Sequence, residues 1–182
     1  MYHNGTHSWI WNDVGDLYIT NAQNDGDIIF RSDDGSGGVE TYFYLDGSMN
    51  TDGTPKTVFP DNSKLQFGSG ASDLRIYHDA TNSYIQNNTG DLYIQNGADG
   101  KDIILRSDDG SGGQTAYITL DGSTNRVNFS KAIKIADSID LNLGGGLDLR
   151  LQHNGTDSFI TNHTGDLKII NTADDKNIIF QS

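Results

Sequence analysis

The chain contains no cysteine, which removes disulfides and thiolate chemistry from any account of it and fits assembly in a reducing cytoplasm. Basic residues are few: 12 Lys and Arg stand against 25 Asp and Glu, for a net charge of −13. The 12 are scattered rather than clustered, so nucleic acid and anionic membrane surfaces are excluded as partners. No apolar run approaches the roughly 18 residues of a membrane span, and no signal peptide opens the chain. Membrane insertion is therefore not expected. Proline occurs twice and apolar residues make up only 34%, a thin supply for a core. No segment combines a helix cap with a sustained helical period. Gly144-Gly145-Gly146 is not followed by the Gly-Lys-Ser/Thr of a phosphate loop.

What the chain has in abundance is glycine, Asn, Asp, Ser and Thr, arranged in a repeat of 75 residues. His3, His78 and His153 fall at that step, as do Asp16, Asp91 and Asp166 within Gly-Asp-Leu. Arg31 to Gly38 returns unchanged as Arg106 to Gly113. Counted from the first residue, the units are 1–75, 76–150 and a truncated 151–182. The chain starts and stops within a repeat, so it is expected to be a piece of something longer. Regular repeats make extended stacks in which each unit touches its neighbours.

Within one unit the pattern is short alternating runs between turn residues. Leu74 to His78 and Ser83 to Asn87 read as strands around Asp79-Ala80-Thr81-Asn82, where the other units carry Asn4-Gly5 and Asn154-Gly155. Asn-Gly is a hairpin signal because both residues tolerate positive φ. Asp91 to Gln95, Ala116 to Leu120, Arg126 to Phe129, Ala132 to Ala136 and Ile139 to Leu143 continue the alternation. The fold class is all-β, an elongated repeat of short strands. Thr51 to Ser72 departs most from its repeat, holds Pro55 and Pro60, and is read as having no counterpart of Gly144-Gly145-Gly146. There Leu65-Gln66-Phe67 aligns with Leu141-Asn142-Leu143 only after a shift of one residue.

Two architectures can bury so sparse a core. A single-chain β-solenoid usually repeats every roughly 18 to 30 residues, and 75 residues is long for one turn. Several chains wrapped about one axis share a core and protect their strand edges, which the long unit and thin apolar stripe favour. The expected form is an intertwined fibre, with the solenoid as the alternative.

The string His153-Asn154-Gly155-Thr156-Asp157-Ser158-Phe159-Ile160-Thr161-Asn162-His163-Thr164-Gly165-Asp166-Leu167-Lys168-Ile169 resembles the repeats of tail fibre proteins of tailed bacteriophages, marine ones especially. It recurs from His78 to Ile94 with Ala80 in place of glycine, and in a more worn copy from His3 to Ile19, where Trp9, Trp11 and Val14 depart. The resemblance covers nearly the whole chain, Thr51 to Ser72 least. It implies a homotrimer, β-rich and elongated, that connects a virion to a tip binding the host surface. The implied location is the virion tail, outside the cell after synthesis in the host cytoplasm. Its partners would be itself and a host glycan or receptor. A bacterial surface adhesin or filament built from the same repeat is the other extracellular reading.

Four sets of residues are candidates for chemistry. His3, His78 and His153 share an alternating face with residues such as Leu74 and Ile76, which is the face expected to be buried. On a trimer axis three copies of one histidine could hold a transition metal. The bland reading is a strand-end histidine hydrogen-bonded to the following turn. Phage fibres that do bind axial metals use paired histidines one residue apart, which this chain lacks. Asp33-Asp34-Gly35-Ser36-Gly37-Gly38 and its copy Asp108 to Gly113 offer oxygens for calcium, but match neither the EF-hand nor the β-roll spacing, and read better as solvated turns. Adjacent carboxylates invite comparison with glycosidases, yet sit on a glycine loop without visible support, so no enzyme and no cofactor is expected. Tyr2, Trp9, Trp11, Tyr42 and Tyr44 enrich the first unit in aromatics suited to stacking on sugars or packing in a core. Asn4, Asn87, Asn154 and Asn162 begin glycosylation sequons that here read as turn residues.

Overall fold

The computed structural model describes residues 1–49, 52–70 and 72–181. Thr51 and Ala71, at the two ends of the divergent stretch, lie outside the described residues. The protein is all-β, with fourteen strands in small antiparallel sheets and no helix among the described residues. Its contacts divide it into two compact units, Met1–Ile94 and Gln95–Ser182. The 75-residue count cuts instead through a strand, because the phase of a repeat is arbitrary.

The first unit opens with the hairpin of β1 (Tyr2–His3) and β2 (Ser8–Trp9). A three-stranded sheet follows, in which β3 (Ile28–Asp33) and β5 (Lys56–Val58) flank β4 (Val39–Asp46). The second sheet places β7 (Leu74–His78) between β6 (Leu65–Phe67) and β8 (Ser83–Asn87). The second unit repeats the plan. β10 (Gln114–Asp121) lies between β9 (Ile103–Asp108) and β11 (Arg126–Phe129), and β13 (Leu149–His153) between β12 (Leu141–Leu143) and β14 (Ser158–Asn162).

The hairpin turns work by a different device from positive φ at both residues. His3 pairs with Ser8, His78 with Ser83 and His153 with Ser158, so each loop has four residues. The first loop residue acts through its side chain: Asn4 Oδ1 accepts from the amides of Thr6 at 2.9 Å and His7 at 2.7 Å. Asp79 and Asn154 do the same in their loops. Only the second residue has positive φ, 91° at Gly5 and 94° at Gly155, and Ala80 holds 75° there with a Cβ that strains it.

The divergent stretch keeps the plan by trading loop lengths. Asp46 pairs with Lys56 but Asp121 with Arg126, so the β4–β5 loop is longer than the β10–β11 loop. The following connection, from β5 to β6, is correspondingly shorter than that from β11 to β12. Leu65 opposes Ile76 as Leu141 opposes Leu151, which fixes the one-residue shift as the true equivalence. The stretch does have a counterpart to the three glycines. Gly68, at φ 94°, packs against Asp73 as Gly144, at φ 89°, packs against Asp148.

A bulge recurs in the larger sheets. Register shifts past Tyr42 opposite Phe30 and Arg31, and past Tyr117 opposite Leu105 and Arg106. Both tyrosine hydroxyls donate to the carbonyl at the end of the preceding strand, Asp33 at 2.9 Å and Asp108 at 2.8 Å. Aromatic stacking adds to β3–β4–β5, where the rings of Phe30 and Phe43 lie 4.5 Å apart and Phe43 and Phe59 5.7 Å apart.

No core forms among the described residues. Among the described residues none is buried, apolar or polar. The accessible surface is 15245 Å². Even the face expected to be buried is open, with Ile76 42% exposed and His78 exposed beside it.

Two predicted strands have no partner. Asp91 to Gln95 and Ala132 to Ala136 run without bend or turn, but join no ladder. Alternation reports two-sided side-chain chemistry, which survives whether or not a pairing strand belongs to the same chain.

Candidate functional site

The three histidines occupy one repeated environment. His3, His78 and His153 each set Nδ1 3.1 Å from the hydroxyl of the serine opposite, Ser8, Ser83 or Ser158. The partner is thus the cross-strand serine and not the turn, whose amides are already served by the Asn or Asp that follows the histidine. Sequence spacing held the clue, since a four-residue loop puts positions five apart opposite each other. No group of three metal-ligating side chains converges within the chain among the described residues. A histidine triplet would have to be assembled from separate copies.

The acidic glycine loops are closed on themselves. Asp34 Oδ1 accepts from the Ser36 amide at 2.7 Å, the Ser36 hydroxyl at 2.8 Å and the Gly38 amide at 3.0 Å. Asp109 repeats this with Ser111 and Gly113 at 2.8, 2.6 and 3.1 Å. The Ser36 and Ser111 hydroxyls, followed by the loop amides, hold both carboxyls below their ordinary range. A general acid needs the opposite shift, so neither Asp34 nor Asp109 is poised for that role. An oxygen engaged by three donors is likewise poorly placed for a calcium ion.

A third motif, the turn sequence Asp-Gly-Ser, recurs at the 75-residue step from Asp46 and Asp121. Asp46-Gly47-Ser48 and Asp121-Gly122-Ser123 close their own turns, Asp121 Oδ1 accepting from Ser123 and Thr124. Each glycine amide also donates at 3.0 Å to a carboxylate across the sheet, Asp27 or Asp102. Each glycine backbone lies against a distant backbone, Gly47 on Gly26 and Gly122 on Lys101. The 75-residue recurrence of Asp-Gly-Ser was visible in the sequence; its partner across the sheet was not.

The aromatic residues separate into two groups. Tyr2 and Trp9 are register partners, and with Trp11 they line an open apolar concavity of about 330 Å³. The His7 ring meets Trp9 edge-on at 6.0 Å, and the Trp11 indole donates to Asp13. Tyr42 and Tyr44 lie elsewhere, on β4, and the Tyr42 hydroxyl is committed to the framework as its repeat partner Tyr117 is. The equivalent positions in the next repeat are Tyr77, Tyr84 and Gln86. There Tyr77 and Tyr84 stack at 4.9 Å, and Gln86 accepts from Arg75. Two tryptophans therefore replace a self-satisfied polar cluster in one repeat only.

Among the described residues, three buried side-chain atoms lack a hydrogen-bond partner: Arg75 Nε, Arg150 Nε and Asp140 Oδ1. The arginines are one repeat apart, and Arg150 lies 3.6 Å from Asp140. Compared with family models, curated proteins and solved structures, the chain matches none.

Proposed function

We propose that this chain is a segment of a fibre shaft, with a role in spacing rather than catalysis. Three copies share the apolar surface that one copy leaves open, and the shaft holds a host-receptor-binding tip away from a bacteriophage particle. The observation that supports this most is the absence of any buried residue among those described, in a chain whose sheets and turns are nonetheless closed by their own hydrogen bonds. Local structure is complete while the core is missing, and shared cores between chains supply what one chain lacks. The repeat string from His78 to Ile94 is what points to phage tail fibres.

Light scattering on a sizing column tests the assembly. Three times 19.8 kDa with a high frictional ratio is the expected result. A compact monomer would remove the shared core and the fibre reading with it.

One observation favours a second reading, in which the segment itself contacts a glycan. The Tyr2, Trp9 and Trp11 concavity, with Asp13 beside it, presents flat apolar rings next to hydrogen-bonding groups. On this reading Trp9→Ala lowers retention on an immobilised host glycan at least about tenfold, the loss of roughly 1.4 kcal/mol, while leaving the solution mass unchanged. Equal retention of the two proteins would dismiss it.

A further inference from the structure

Three segments at 75-residue steps have no pairing partner among the described residues: Asp16–Ala22, Asp91–Gly97 and Asp166–Thr172. Each runs seven residues without bend, turn or ladder, and every residue in it is exposed. Tyr18 is 80% exposed, Tyr93 77% and Ile170 71%. From Asp16 to Thr20, and at the matching positions of the other two, no backbone group has a hydrogen-bond partner among the described residues.

These segments are nevertheless fixed at both ends. Before each, an Asn amide donates at 2.8 Å to the carbonyl of a positive-φ glycine: Asn12 to Gly15, Asn87 to Gly90 and Asn162 to Gly165. At the far end of each, an Asn within the segment spans the turn that follows. Asn21 donates to Asp27 and Asn96 to Asp102, both at 2.9 Å, and Asn171 donates to Asn177 at 3.2 Å. Their Oδ1 atoms accept from the amides of Gln23, Ala98 and Ala173. A segment meant only to link sheets through water has no use for a polar clamp at each end. A strand held ready for a ladder does, because the clamps lower the ordering cost of pairing.

We infer that Asp16–Ala22, Asp91–Gly97 and Asp166–Thr172 are strands that pair in trans, each completing its ladder on a second copy of this chain. The inference rests on the self-assembly reading above. A second copy is the occupant that fits for two reasons. Open sheet edges recur at the same step: β3 and β9, and β8 and β14, lie one repeat apart with one side unpaired. Only a partner with the same 75-residue period can meet all three segments at once.

Amide hydrogen exchange on the assembled protein, with its solution mass measured in parallel, tests this. The amides of Leu17–Thr20, Leu92–Gln95 and Leu167–Ile170 should exchange at least about 100-fold more slowly than in an unstructured peptide. An oligomer in which the hairpins are protected but these segments exchange freely overturns the inference and leaves the shaft reading standing. A monomer with all three segments unprotected overturns both. Ile94→Pro, which deletes one ladder donor, should raise exchange across Leu92–Gln95 at least about tenfold. Unchanged protection there would also count against the pairing.

Discussion

The melting temperature should stay level as pH falls from neutrality to about 4 and then drop steeply, as the carboxylates that close the turns take up protons. Asp34, Asp46, Asp79 and Asp109 are held below the ordinary carboxylate range. Asp52 and Asp121 are lowered from 3.8 to about 2. The principal donors are the hydroxyls of Ser36, Thr54, Ser111 and Ser123, and the amides of Met49 and Asn82. Each folded carboxyl binds its proton less readily than the unfolded one. For Asp52 and Asp121 the stabilising contribution is therefore complete above 3.8 and disappears as pH falls toward about 2, and the other four lose theirs in the same direction. Thermal melts at fixed protein concentration across that window check this. A melting temperature unchanged from neutrality down to pH 2.5 would contradict it. Asp121→Asn should flatten part of the slope, since the amide keeps an acceptor but cannot titrate.

Gly122→Ala should destabilise the second unit by about 1–3 kcal/mol, the usual cost of forcing a methyl into filled space. A Cβ at Gly122 would collide with the carbonyl oxygen of Lys101, a backbone atom that cannot swing aside. The move would also stretch the bond from the Gly122 amide to Asp102. For a chain of this length the expected fall is roughly 3–10 °C in melting temperature. Gly145→Ala is the control, because nothing lies within 4 Å of its Cβ and its φ is not positive. If both variants melt together, the close approach at Gly122 contributes nothing.

Much of this fold was legible in the sequence because its determinants are local. Leu74 to His78 and Ser83 to Asn87 alternate, their turn carries Asp79, and they form β7 and β8 over those same residues. The repeat then fixed β13 and β14 without further argument. What was not legible shares one cause, which is that composition and period do not name a partner. Leu74, Ile76 and His78 share a face suited to burial, and among the described residues nothing in the chain covers it. Asp91 to Gln95 has strand chemistry with no ladder inside the chain. The histidines bind serines that the register, not the turn, brings across. The glycine of Asp-Gly-Ser was legible as a turn residue, but its contact with Lys101 depends on tertiary approach and left no trace in the local pattern.

All four three-stranded sheets close over a short stretch of chain: Ile28–Val58, Leu65–Asn87, Ile103–Phe129 and Leu141–Asn162. No strand reaches past its neighbour to pair with a remote one. Length is therefore a quantised variable. Adding or removing one 75-residue block leaves every remaining ladder intact and keeps the order of sheets and linkers, whereas a cut that falls inside one of these spans severs a sheet. A gene for such a chain can lengthen or shorten its product by recombination between its own repeats, in whole steps, without having to solve folding again.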